Sequence, residues 1–340
     1  MDEKVTKFIC EHMKYDSLLY YAKYYDAVLF QTQKEVSGNY QVVNNLTSSI
    51  ISNPLVKFTD SKCECRYCKQ TKPAVTFKDK AHTFPEFLGN KLFVNKDNEC
   101  DDCNHFFGDK LEPNLNSFIK ALLVVDDING KGGSKKYKSF NKMGEITHKN
   151  GSIEMSVVEG YEMVSDDPVE KKMKIKIDIP KYSLRSAYKA ILKMALSILP
   201  ESEISDFNFA FSCLKNNDIF GCEYIILNYY PGFNIMPFSI MLYKRKNDTV
   251  PIPKYQFAVI NNNFLLQVPV FSDNDISIID KNSFSYPKDG IPTIYDKGPL
   301  GEVQTSVYRL DQVDIVERHT VELEMNYDSR ELHDGSDPVV

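Results

Sequence analysis

Four cysteines fall into two pairs with the same two-residue gap, Cys65-Arg66-Tyr67-Cys68 and Cys100-Asp101-Asp102-Cys103. That gap lets both thiolates of a pair reach one ion from a tight turn, and two such turns complete a tetrahedral site. The ion expected there is a structural Zn²⁺. Between the pairs runs Ala81-His82-Thr83-Phe84-Pro85-Glu86-Phe87-Leu88-Gly89-Asn90, and Asn104 directly follows the second pair. A neutral imidazole titrates near physiological pH, so His82 can take a proton from water. Asn104 can offer its side-chain carbonyl to a hard cation such as Mg²⁺.

These residues need elements to hold them. The stretch between the pairs suits a β-hairpin, and the chain from Asn104 onward reads as a helix. Phe106, Phe107 and Leu111 give that helix an apolar side, with Asp102, Asp109 and Lys110 among its polar positions. A hairpin followed by a helix, clamped by zinc, is the expected frame. The segments CRYC, AHTFPEFLGN and ECDDCN resemble the HNH endonuclease family (the ββα-metal nucleases) in its four-cysteine form, over residues 62–120.

The resemblance implies hydrolysis of a phosphodiester bond, which needs an activated water, charge stabilisation on the phosphate and help for the leaving oxygen. It assigns His82 as general base and Asn104 as a ligand of a catalytic Mg²⁺ or Mn²⁺. A third family position, an asparagine that orients the histidine from the connecting loop, falls on Asn95 or Asn98, and Asn98 is preferred. One position departs from the pattern. Many relatives carry Asp, Glu or His just before the base, where this chain has Ala81, which cannot bind a metal. His105, Asp109, Asp79 and Glu86 are the nearby substitutes, and His105 is taken with Asn104 as a ligand of the catalytic ion. The competing readings are plain structural ones: His82 as a hydrogen-bonded hairpin residue, and Asn104 as a helix cap.

The 340 residues and 42 % hydrophobic share leave room for two domains with real cores. No apolar run approaches membrane-span length, and Met1-Asp2-Glu3-Lys4 does not open a secretory signal. Eight cysteines without such a signal point to a reducing cytoplasm and metal use rather than disulfides. Cys10, Cys213 and Cys222 read as buried thiols, while Cys63 lacks a spaced partner of its own. The net charge of −6 argues against a broad basic DNA-binding face. The stretch Gly130–Lys138 is either a phosphate-touching arm or a solvated linker.

The fold class expected is α+β, with a zinc-bound, treble-clef-like HNH module followed by an α+β domain with an antiparallel sheet. Residues 1–57 are expected to be helical, with an apolar, tyrosine-rich face across Phe8 to Phe30. The HNH module takes 58–126, the α+β domain 150–320 and an acidic, mobile tail 321–340. Within the second domain, Met173, Ile175, Ile177 and Ile179 alternate with lysines as in a strand. Ser183 caps an amphipathic helix that Pro200 stops. A further helix is expected over Glu203–Leu214, and strands over Glu223–Tyr230, Ile235–Tyr243, Tyr255–Ile260 and Phe264–Phe271. Tyr224, Tyr229, Tyr230, Phe233 and Phe238 are expected to pack in the core.

The functional expectation is a metal-dependent endonuclease acting on DNA; an RNase with the same centre is a further reading. The resemblance adds a role as an anti-phage defence effector, with a homo-oligomer or a partner protein of the defence system. The alternative is a non-catalytic zinc module that binds nucleic acid or protein.

Overall fold

The computed structural model describes residues 25–32, 56–57, 63–89, 93–95, 97–125, 128, 136–149, 152–216, 218–230, 236–282, 284, 286, 297–298, 301–327 and 329–331. Among them are helices and antiparallel sheets, an α+β fold. Besides several further two-residue strands, the strands are β1 (Tyr25–Thr32), β2 (Phe93–Val94), β3 (Gly144–Lys149), β4 (Ser152–Val157), β5 (Val164–Asp167), β6 (Lys172–Ile179), β7 (Tyr224–Tyr229), β8 (Met236–Arg245), β9 (Tyr255–Asn262), β10 (Phe264–Val270), β11 (Gln304–Arg309) and β12 (His319–Asn326). The helices are α1 (Asp101–Phe106), α2 (Glu112–Phe118), α3 (Lys120–Val125), α4 (Leu184–Ser197), α5 (Asn208–Cys213) and α6 (Asp273–Ile278). A single π turn, Phe107–Leu111, joins α1 to α2. No helix among the described residues is long and apolar enough to cross a membrane.

The main sheet has six strands in the order β1-β8-β9-β10-β7-β11. Its central strand β10 is buried at every position, because α4 covers one face, where Tyr188 Oη donates to the Pro269 carbonyl at 3.0 Å. Strand β1 corrects the expected N-terminal helix. Tyr25–Thr32 lies inside the stretch read as helical, yet it pairs with β8 from Tyr25↔Arg245 to Thr32↔Ser239. Valine and aromatic residues there suit a sheet edge, and pairing to a neighbouring strand overrides a loose helical pattern. The remainder of that helix lies outside the described residues, as does most of Gly130–Lys138.

A second correction concerns the acidic tail. Its start, 321–326, belongs to β12, which pairs with β6. Val321, Leu323 and Met325 alternate with Glu322 and Glu324, and the glutamates stand opposite Lys176 and Lys174. Apolar pairs on one face and opposite charges on the other fix that register.

Helix α4 packs between the cysteine-bearing segment and the main sheet. Ser183 caps it, its Oγ accepting from Ser186 N at 3.0 Å. The helix ends at Ser197, three residues before Pro200. The expected helix over Glu203–Leu214 is split into a 3₁₀ turn, Glu201–Phe207, and α5. Tyr224 and Tyr230 are core residues, as expected, whereas the side chains of Phe233 and Phe238 lie outside the described set.

One hydrophobic cluster runs from the cysteine pairs through α4 to the main sheet. Phe84 makes the join: its ring meets Phe93 edge-on at 5.5 Å and lies parallel to Phe257 of β9 at 6.5 Å. Fully buried side chains of this size each contribute about 1.5–3 kcal/mol, so the cluster ties the cysteine-bearing segment firmly to the sheet.

Candidate functional site

The first cysteine pair sits on a tight turn. Cys65 N donates to Gln70 O and Lys69 N to Cys65 O, both at 2.8 Å, and Lys69 takes the left-handed conformation that lets the chain double back (φ +60°). The second pair straddles a helix start. Cys100 is the N-cap of α1 and Cys103 lies in its first turn. Asp101 fastens that start to the preceding loop, accepting from Lys78 N and Asp79 N at 2.9 Å each and from the Thr76 hydroxyl.

The two turns bring four sulfurs together, all within 4.8 Å of one another. Cys65 Sγ lies 3.6 Å from Cys103 Sγ, and Cys68 Sγ 3.7 Å from Cys100 Sγ. A Zn–S bond of about 2.3 Å gives a tetrahedron with edges of about 3.8 Å, so the sulfur set fits a zinc ion. Cys63, although close in sequence, is not among the four. The Lys215 ammonium lies 3.1 Å from Cys103 Sγ. Burial opposes its charge, but the Cys103 hydrogen bond and the neighbouring Cys68 and Cys100 sulfurs hold its pKa above the ordinary lysine value.

His82 sits on a short antiparallel pairing. Asn95 N donates to Ala81 O at 2.9 Å and Thr83 N to Phe93 O at 3.1 Å, placing His82 opposite Val94. The chain then turns through a 3₁₀ turn at Glu86–Leu88, closed by Gly89 at φ +81°. The imidazole is partly exposed, and its Nε2 lies 3.3 Å from Glu86 Oε1. Burial pushes the carboxyl of Glu112, at the start of α2, upward; Lys193 pulls it down and Glu86 pushes it up again.

Asn104 lies within the first turn of α1, directly after Cys103, and is half-buried. It is not the helix cap: that position belongs to Cys100. The helix therefore begins at Asp101, three residues earlier than read from sequence, because the second knuckle forms its first turn.

Residues 65–118 match the HNH endonuclease family. The matched segment holds all four clustered cysteines, His82 and Asn104, and it ends with α2. No curated protein and no solved structure matches the chain.

Within the matched segment, the remaining candidates divide. Glu86 stands beside His82, whereas His105 pairs with Asp79 through Nε2 and Oδ2 at 2.9 Å, on the exposed side of α1. Asp109 is exposed on the π turn. Asn98 is buried, and its carbonyl accepts from Arg66 N at 2.7 Å. Asn95, also buried, directs its amide toward Glu99 Oε2 at 3.3 Å and Tyr67 Oη at 3.5 Å.

The sequence reading missed the polar groups that hold the matched segment against the rest of the chain. Lys193 of α4 is nearly fully buried, 2 % exposed in its side chain. Its Nζ donates to His82 O at 2.7 Å and pairs with Glu99 Oε2 at 3.2 Å. Burial pushes the Glu99 carboxyl up, and Lys193 and Asn95 offset part of that. Arg66 donates to Leu196 O and Leu199 O at the far end of α4 and pairs with Glu201. Asn114 Oδ1 accepts from Ser183 N at the near end, at 2.7 Å. One signal was present: Lys189 and Lys193 interrupt a helix whose other residues are almost all buried and apolar. A lysine in such a place requires a partner.

Proposed function

We propose that the protein is a metal-dependent HNH endonuclease that hydrolyses phosphodiester bonds in DNA. The observation that carries this reading is the family match over 65–118, which takes in four zinc-spaced sulfurs together with His82 and Asn104. In this reading His82 accepts a proton from the attacking water, and Glu86 beside it restrains the ring. Asn98 orients the imidazole from the connecting loop, and Asn104 presents its carbonyl oxygen from α1. Oxygen donors such as Asn104 and Glu86 suit Mg²⁺ or Mn²⁺, which would neutralise phosphate charge and stabilise the leaving 3′ oxygen. Zn²⁺, held by Cys65, Cys68, Cys100 and Cys103, is structural. A cytoplasmic defence effector belongs to the same reading.

The second reading is a non-catalytic zinc module that binds nucleic acid or protein. Ala81 favours it, because this position is buried and its carbonyl is already taken by Asn95 N. Cleavage of supercoiled plasmid in Mg²⁺, Mn²⁺ or EDTA, with His82→Ala alongside, separates the two. Metal-dependent cutting that His82→Ala abolishes, with zinc content unchanged, supports the nuclease. Cutting by His82→Ala at the wild-type rate removes the base assignment.

A further inference from the structure

His82 occupies a non-hydrogen-bonded position of its hairpin. The two hydrogen bonds that define the pairing belong to its neighbours, Ala81 O with Asn95 N and Thr83 N with Phe93 O. In such a pair the peptide groups of the central residue point away from the partner strand. The hairpin itself therefore does not hold the His82 carbonyl. Lys193 does, from a helix 111 residues further along the chain.

The surroundings of that ammonium leave little freedom. Glu99, 0 % exposed in its side chain, takes one direction at 3.2 Å; the His82 carbonyl takes another; the Phe107 ring lies 5.7 Å away. Glu99 in turn meets the amide of Asn95, whose own N–H pairs with Ala81 O. The knot thus grips both strands around His82, one through a carbonyl and the other through a side chain. Packing alone does not call for it. A buried ion pair is a weak source of stability against an apolar pair of the same size, and its attested value is in fixing one geometry.

We propose that Lys193, backed by Glu99, is a positioning residue for His82: it fixes the backbone from which the imidazole projects, so the helix of the sheet region is part of the active centre. This rests on the nuclease reading for its kinetic consequence, though not for its structural one.

The test uses the full-length chain and the paired substitution Lys193→Met with Glu99→Gln, which removes the ion pair without leaving a buried charge alone. Lys193→Met by itself serves as the comparison for stability. Zinc content, kcat and KM on a DNA duplex, and the imidazole NMR signals of His82, assigned with His82→Ala, are measured. The expected result is wild-type zinc content and KM, a kcat lower by about ten- to a hundredfold, and displaced His82 ring signals with the His105 signals unmoved. Wild-type kcat together with undisplaced His82 signals overturns the proposal, as does a lower kcat with undisplaced signals. If the wild-type chain cuts in no metal, the nuclease reading fails instead, and the His82 signals alone decide the role of Lys193.

Discussion

Arg66 Nε donates to the Leu196 carbonyl at 2.8 Å, across 130 residues of chain. A residue inside the first cysteine turn therefore caps the C-terminal end of α4, where helix carbonyls lack partners of their own. The same guanidinium reaches the Leu199 carbonyl and Glu201, so both planar edges are used. The knuckle is thus a ligand turn on one side and a helix cap on the other.

Replacing Arg66 with Met should lower the unfolding free energy by about 2–4 kcal/mol, because charge-assisted bonds are lost and buried carbonyls are left without donors. Urea denaturation of the zinc-loaded chain measures it. A loss within about 0.5 kcal/mol, the usual range for surface substitutions, would show that water takes over the cap.

Lys215→Met should weaken zinc binding by about ten- to a hundredfold, as expected when a partner of a metal ligand is removed. A tetrathiolate zinc site carries net negative charge, and the ammonium at Cys103 offsets part of it. Competition with a chromophoric chelator reads the change directly.

Stripping the zinc should unfold more than the knuckles. The sulfurs belong to the same buried cluster as α4 and the sheet, and apparent binding energies of structural zinc reach about 10–16 kcal/mol. Calorimetry with a strong chelator is expected to show one transition moved to lower temperature. Two separate transitions would mean that the sheet region holds without the metal.

Glu203 supplies a pH dependence with a definite sign. Burial works to raise its carboxyl, but hydrogen bonds from Lys244, Tyr255 and Lys254 overcome this and leave it below the usual carboxylate range. A depressed folded-state pKa contributes stability above the unfolded value of about 4.3. That contribution is lost as pH falls through the folded value. Glu203→Gln should therefore flatten the decline of melting temperature in acid while lowering it at neutral pH.

The strands and the capped helix were legible because period and caps are local. Met173 to Ile179 alternates, and Ser183 precedes an apolar stripe; each is found where expected. The sulfur cluster was legible because two-residue gaps confine thiolates to a turn. Tyr25–Thr32 was misread because its partner, β8, lies more than two hundred residues away, and nothing within the segment announces it. Lys193 escaped for the same reason. Its helical position was plain, but the carbonyl and carboxylate it serves are brought to it only by the fold.

The chain distance between His82 and Lys193 also sets an order of events during synthesis. Lys193 follows His82 by 111 residues and Leu199 follows Arg66 by 133. At translation speeds of about 5–20 residues per second, a lag of 111 residues lasts roughly 6–22 seconds. Throughout that interval the nascent segment possesses its cysteines and its histidine, but neither the ammonium behind the base nor the helix end that Arg66 grips. On the reading proposed above, the cutting centre is completed only once α4 has been made, seconds after its own cysteines and histidine.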